Sequence, residues 1–209
     1  MNELLEKVGV VPVVVLENAE DAVAVAEALR DGGLPIIEVT LRTAAAPEAI
    51  SRIAEEVADV FVGAGTVLNA EQVDIASTAG ARFLVSPGLH ESVVAESRSL
   101  GLVVYPGVAT ATEAMAAWNM GLKTLKFFPA GQAGGAPMLK AFGSVFRDIR
   151  FMPTGGVSTA NLAEYLELPS VIACGGSWLT PAKAIEAKDF GAITRLAAEA
   201  SALVKEIRG

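Results

Sequence analysis

The sequence predicts a single-domain α/β fold, a (β/α)8 TIM barrel over residues 1–209, on three observations. Eight short apolar segments recur along the chain. Each is followed by a loop and a stretch of helical character. The segments are continuous apolar runs, the pattern of a parallel sheet covered on its outer face. With a repeat of about 20–25 residues, eight such units close a barrel at the lower size limit of that fold.

The strand segments are 10–16, 36–41, 60–67, 82–87, 102–108, 124–129, 150–153 and 171–174. Helix starts are marked by Asn18, Asn69 with Gln72, Thr110 with Glu113, and Ser158, whose side chains can accept from free N–H groups of a first turn. Helix ends are marked by Gly32-Gly33, Gly80, Gly101 and Gly121, where a left-handed residue is cheap. Alanine-rich stretches at 22–29 and 192–204 suit helices packed closely on a sheet. The alternative, a doubly wound open sheet, usually carries a glycine-rich fingerprint in its first strand–helix turn. Here that turn is Leu16-Glu17-Asn18. No linker, low-complexity segment or second domain is evident.

Composition narrows the function. Hydrophobic residues make up 52%, yet they are dispersed, and the densest run, 8–16, is broken by Gly9 and Pro12. Nothing approaches the ~18 apolar residues of a spanning helix. The first seven residues lack a basic region followed by an apolar one, so no secretory signal is expected. Net charge is −8 and no basic stripe is present, which argues against nucleic acid or an anionic membrane as partner. The single cysteine, Cys174, excludes an intramolecular disulfide and suits a reducing cytoplasm. Its apolar neighbours make it a structural thiol. The single histidine, His90, sits at a helix start, in a solvated role. With one His and one Cys, neither a transition-metal site nor serine–histidine chemistry is expected, while counting leaves a carboxylate-only Mg²⁺ site open. An acidic chain that binds an anionic small molecule needs a few local cations and backbone donors.

Those groups stand at strand ends, where (β/α)8 enzymes gather their catalytic residues. Lys126 lies inside the apolar run Thr124-Leu125-Lys126-Phe127-Phe128-Pro129. Desolvation favours its neutral amine, a nucleophile able to form a Schiff base with a carbonyl. The alternative is a strand-end lysine whose ammonium reaches water. On strand two, Glu38, Thr40 and Arg42 alternate onto one side. Glu38 can serve as general base, and Arg42 offers a planar fork to a carboxylate. An ion pair between the two across a rim is the competing reading. Thr66 adds a hydroxyl after strand three. The pairs Gly155-Gly156 and Gly175-Gly176, the latter followed by Ser177, come after strands seven and eight. Such loops often hold a phosphate, because glycine lets backbone N–H groups approach an anion. The plainer reading is two tight turns.

The segments EVTLRT (38–43), GAGTVLN (63–69), SPGL (86–89), KFFPA (126–130), PTGG (153–156) and GGSW (175–178) resemble those of the 2-keto-3-deoxy-6-phosphogluconate aldolases, the class I enzymes of the Entner–Doudoroff pathway. The resemblance runs from about Val10 to the C-terminus, with the motifs in family order. It implies Lys126 as the Schiff-base lysine and Glu38 as the acid/base. It implies that Arg42 and Thr66 bind a pyruvate carboxylate, that Thr154, Phe128 and Pro87 line that pocket, and that Gly155, Gly156 and Ser177 bind phosphate. It further implies a homotrimer, no metal or organic cofactor, and a phosphorylated keto acid cleaved to pyruvate and glyceraldehyde 3-phosphate. Related substrates, 4-hydroxy-2-oxoglutarate and 2-dehydro-3-deoxy-6-phosphogalactonate, are alternatives. A phosphate-binding barrel isomerase would share the glycine pairs without needing Lys126. A non-catalytic scaffold would need no polar groups at strand ends.

Overall fold

Nine parallel strands alternate with ten α-helices in the computed structural model, which describes residues 1–209. In chain order they are α1 (Asn2–Val8), β1 (Val10–Val14), α2 (Ala22–Asp31), β2 (Ile36–Thr40), α3 (Ala46–Glu56), β3 (Phe61–Gly65), α4 (Ala70–Thr78), β4 (Phe83–Val85), α5 (Glu91–Ser99), β5 (Val103–Tyr105), β6 (Gly107–Val108) and α6 (Ala111–Asn119). There follow β7 (Thr124–Phe127), α7 (Gly135–Val145), β8 (Arg150–Pro153), α8 (Leu162–Leu166), β9 (Cys174–Gly176), α9 (Ala182–Glu186) and α10 (Phe190–Arg208).

The strands form a curled six-stranded parallel sheet, β5-β4-β3-β2-β1-β9, and a three-stranded one, β6-β7-β8. The fifth expected segment thus appears as two strands. Pro106, which has no N–H to give a ladder, divides it. Its carbonyl still accepts from Lys126 N at 2.9 Å. Single parallel bridges, Phe151 with Val171 and Thr154 with Gly175, link β8 to the β9 region. The eighth expected segment is also displaced: β9 begins at Cys174, and Val171 makes only its bridge.

Burial explains why the strands are apolar runs. Every residue of β2 is buried, and 60 buried hydrophobic residues form one connected core. One face of the sheet meets the helices and the other fills the interior, so no position in a central strand is left for water. The alanine-rich helices pack closely, as expected. A Cβ on Gly32 would stand 2.7 Å from the carbonyl of Thr194 on α10.

The predicted caps sort into those that form and those that do not. Asn69 Oδ1 accepts from Gln72 N at 2.9 Å, and Gln72 Oε1 accepts from Leu68 N at 2.7 Å. Thr110 and Glu113 form a reciprocal capping box on α6. His90 caps α5 through its ring, accepting from Ser92 N, and is exposed. Asn18 precedes only one 3-10 turn and makes no side-chain cap. Ser158 starts no helix: its N–H donates to Asn161 Oδ1 at 2.8 Å, and α8 begins only at Leu162. Gly33, Gly80, Gly101 and Gly121 adopt φ of 92°, 89°, 70° and 79°, so the left-handed position after α2 is Gly33 and not Gly32.

Helix α1, seven residues long, lies against the N-terminal side of the sheet. Asn2 Nδ2 donates to Thr124 Oγ1 at 3.1 Å, and Tyr105 Oη donates to Asn2 Oδ1 at 2.9 Å. One exposed asparagine at a helix start therefore ties β5 and β7 together from below.

The capping box gives a test of how local chemistry holds α6. The N–H of Ala109 above all, then the hydroxyl and N–H of Thr110, hold the Glu113 carboxyl below the usual carboxylate range. A depressed folded value means stabilisation that is complete above the unfolded value and is lost as pH falls through the folded one. Thr110→Ala is expected to lower stability by about 1 kcal/mol in urea melts. Glu113→Gln is expected to flatten the acid limb of the stability–pH curve below about pH 4.5, and an unaltered limb would count against the box.

Candidate active site

The polar residues at the C-terminal strand ends converge on one cavity of about 370 Å³. Its deepest charged groups are Glu38 of β2 and Lys126 of β7. Lys126 Nζ lies 3.5 Å from Glu38 Oε1, with the lysine 5% and the glutamate 0% exposed. Neither carboxylate oxygen of Glu38 has a hydrogen-bond partner. Such a pair is poised for proton movement. The ring of Phe128, two residues on and therefore on the same face, has its centroid 5.1 Å from the Lys126 nitrogen.

Strand register makes this arrangement possible. Glu38 is level with Gly63, and Thr40 with Gly65, on β3. A Cβ on Gly65 would overlap the Glu38 carboxylate. The glycine is thus a side-chain vacancy that the glutamate fills. Gly175 plays the same part for Thr154, whose Oγ1 occupies the space a Cβ would take.

Arg42 lies two residues past Thr40 and lines the mouth of the cavity, exposed. The rim pair of Glu38 with Arg42 does not form: the cation against Glu38 is Lys126, and Arg42 takes part in no ion pair. Its fork is free for a ligand. Thr66 follows Gly65 and also lines the cavity, with φ of 58°. A β-branched residue in the left-handed region costs about 1–3 kcal/mol, and such strain tends to be held where a side chain must be aimed. Pro87, after β4, forms the opposite wall.

At the other end of the cavity lie Gly155, Gly156 and Ser177. Gly155 and Gly156 adopt φ of 91° and 80°, so the tight-turn requirement is real. The turn also does something more. Its carbonyls are engaged, Gly155 O by Gly131 N and Gly156 O by Asn161 Nδ2, both at 2.9 Å. The N–H groups of Gly155, Gly156 and Ser177 have no acceptor in the protein. Unpaired amides grouped in a concave turn are the usual shape of an oxyanion or phosphate cradle.

The ten residues given site roles by the resemblance line a single cavity, and so do Thr40 and Gly175, which the sequence also marks. Gly176, the other half of the second glycine pair, does not line it and instead makes room for the Trp178 ring. Val13 and Val157 line the cavity as well. Thr40 shares the face of Glu38 and donates to Val14 O at 3.0 Å, so its hydroxyl is committed to the backbone. Strand parity signals Thr40. Val13 enters only because register sets it level with Glu38, and no local pattern marks it.

A family model described as KDPG and KHG aldolase matches residues 1–196. The 2-dehydro-3-deoxy-phosphogluconate aldolase of Treponema pallidum is 49% identical over 202 residues, covering 97% of this chain and 96% of that protein. Among solved structures, the 2-keto-3-deoxy-6-phosphogluconate aldolase of Zymomonas mobilis ZM4 with 3-phosphoglycerate superposes with a TM-score of 0.92 at 46% identity, covering 97% and 95% of the two chains. KDPG aldolase from Legionella pneumophila, with pyruvate captured as a covalent carbinolamine, superposes with a TM-score of 0.91 at 41% identity, covering 94% and 96%.

Cys174 opens β9 just below the cradle but is fully buried, and desolvation pushes its thiol well above the ordinary value. A neutral, inaccessible thiol is inert. The native protein is expected to resist an aromatic disulfide reagent, with one thiol per chain released on unfolding in guanidinium. Fast labelling of the folded protein would contradict that burial.

Proposed function

The chain belongs to the KDPG and KHG aldolase family, and from that premise we propose that it is a Schiff-base lyase cleaving 2-dehydro-3-deoxy-6-phosphogluconate to pyruvate and D-glyceraldehyde 3-phosphate, the aldol step of the Entner–Doudoroff pathway. The observation that carries the reading is the dry Lys126–Glu38 contact at the end of a cavity with a free arginine at one side and free amides at the other.

The roles follow from position. Glu38 accepts a proton from the Lys126 ammonium, leaving a neutral amine. The amine adds to the C2 ketone to give a carbinolamine. Glu38 gives its proton to the carbinolamine hydroxyl, which leaves as water, so that an iminium forms and the Glu38 carboxylate is restored. The iminium withdraws electrons from C3, so the C3–C4 bond breaks into the nitrogen as Glu38, directly or through one water, removes the C4 hydroxyl proton. Glyceraldehyde 3-phosphate departs. Glu38 returns a proton to C3 of the enamine, and hydrolysis of the second iminium frees pyruvate and Lys126. Arg42 and Thr66 hold the carboxylate beside C2. Pro87, Phe128 and Thr154 enclose the pyruvyl group. Gly155, Gly156 and Ser177 take the phosphate. The free amides favour the phosphorylated six-carbon acid over 4-hydroxy-2-oxoglutarate, which leaves them unpaired. Substrates differing at one hydroxyl, such as the 6-phosphogalactonate analogue, satisfy the same anchors.

The same reading joins the two sheets into one eight-stranded (β/α)8 barrel. β5 and β6 count as one strand bent at Pro106, and the two bridges close β8 onto β9. We further infer a homotrimer, supported by Met115, Trp118 and Val145, which leave apolar surface at 56%, 45% and 73% exposure on adjoining helices for a partner copy to cover. A lone cysteine, free and buried, supports a cytoplasmic setting.

Three outcomes test the mechanism. Lys126→Met is expected to abolish cleavage and borohydride trapping of pyruvate, read by peptide mass, with the fold intact by circular dichroism. Adduct persisting at Lys123 or Lys140 would move the nucleophile.

Glu38→Gln keeps the shape but accepts no proton. It is expected to slow exchange of pyruvate methyl protons with deuterium at least 100-fold, the scale of general-base catalysis. Gly65→Ala is expected to mimic it in part by displacing the carboxylate. Wild-type exchange in both would remove Glu38 from the acid/base role.

Gly156→Val adds a side chain where φ is 80° and the amide must be approached. The ratio of kcat/KM for the phosphorylated substrate to that for 4-hydroxy-2-oxoglutarate is expected to fall about tenfold or more, the scale of one charge-assisted hydrogen bond. Equal losses on both would favour a turn with no role in recognition.

A further inference from the structure

We propose that this protein carries a second anion site, at the N-terminal ends of the strands, which takes a phosphorylated small molecule. A cavity of about 680 Å³ opens there between α1, the start of β8 and the end of α10. It is wider than the catalytic cavity and lies at the opposite end of the sheet. Arg150 opens β8 and Thr154 follows its last residue, about 13 Å further along at the rise of an extended strand.

Four cations, Lys7, Arg150, Lys205 and Arg208, line this cavity, against one acidic side chain, Glu6. In a chain of net charge −8 that local surplus runs against the average. An adjoining cavity of about 490 Å³ shares Lys7, Val204 and Lys205 and adds Arg30, so the basic wall continues around the first helix.

The two guanidinium groups are fixed in place. Arg208 donates to the carbonyls of Glu6, Val171 and Ile172. Arg150 donates to Glu6 Oε1 at 3.0 Å, while its buried Nε has no acceptor. Burial first, and Arg150 also, hold the Arg208 guanidinium below its ordinary range. The Glu6 carboxylate thus pairs with Arg150 alone, Arg208 is held by backbone carbonyls, and two exposed lysines stand beside them. A tetrahedral dianion is the group whose geometry and charge an arginine fork and lysine points satisfy together. Leu166, Leu168 and Pro169 give an apolar wall for the organic part of a phosphate ester. A long polyanion is disfavoured by the overall negative charge.

Isothermal titration with pyrophosphate at fixed ionic strength tests the site, comparing wild type with Lys7→Glu/Lys205→Glu and with Arg150→Ser. Wild type is expected to bind at two classes of site. The lysine double variant is expected to weaken one class at least tenfold. kcat and KM for aldol cleavage should stay unchanged, because both lysines are exposed and far from the catalytic cavity. Unaltered binding in the double variant would overturn the proposal. If Arg150→Ser fails to fold, the lysine variant decides the matter. The pyrophosphate result stands whether or not the chain cleaves the substrate proposed above.

Discussion

The buried contact between Lys126 and Glu38 is the constraint around which the rest of the structure is arranged. Two chargeable groups stand 3.5 Å apart with almost no access to water, and the carboxylate lacks any hydrogen bond. Each unmet buried polar atom costs about 1–3 kcal/mol. A buried ion pair is commonly less stabilising than the apolar pair that could replace it. The position is therefore held by its surroundings. The connected core of buried hydrophobic residues supplies the stability that offsets it. Leu125 and Phe127, on either side of Lys126, lie on the opposite face of β7 and fix it in place, while Lys126 shares the inward face with Thr124.

Parallel register turns that local cost into a working site. Glu38, Thr66, Lys126, Thr154 and Ser177 come from five different strand ends and meet because all the strands run the same way. Glycine serves this convergence in two distinct ways. Gly65 and Gly175 have ordinary backbones, and their lack of a Cβ gives volume to a neighbour's side chain. Gly155 and Gly156 give backbone freedom, since left-handed φ angles turn their amides into the cavity. Substitution at the first kind displaces a reacting group. Substitution at the second disturbs recognition at a distance from the bond that breaks. Because the two kinds lie on different strands, chemistry and phosphate recognition can be separated by mutation.

Much of this was legible in the sequence, for identifiable reasons. A lysine in an apolar run, alternation placing Glu38 and Arg42 on one side, and glycine pairs at the seventh and eighth strand ends are all local patterns. They led to residues that line one cavity. What could not be read depended on pairing between distant segments. Val13 enters the cavity only through its register with Glu38. The partner of Glu38 was ambiguous between Arg42 and Lys126, because the sequence shows alternation within a strand but not which strand faces it. The division of the fifth strand followed from Pro106, visible but not weighed against its apolar neighbours. The contacts of the N-terminal helix were not legible, because Asn2 meets Tyr105 of β5 and Thr124 of β7, which only folding brings together. Ser158 has the side chain of a cap, but α8 begins four residues further on, at Leu162, so no first-turn N–H stands beside its hydroxyl.

Charge placement ties the two ends of the sheet together. A net charge of −8 repels an anionic ligand at long range, yet at physiological ionic strength such repulsion fades beyond about 8 Å. In the reading proposed above, recognition is decided within that distance, by Arg42, free amides and Ser177 at one end and by the arginine–lysine wall at the other. Amide donors are suited to the catalytic end, since they hold an anion without placing a further full charge beside Lys126. A lysine at Gly156 would compete with the proton exchange between Lys126 and Glu38, whereas backbone dipoles act over a shorter range. At the far end no proton is to be moved, and whole cations are tolerated. The same acidic chain thus uses partial charges where chemistry must remain undisturbed and full charges where it need not.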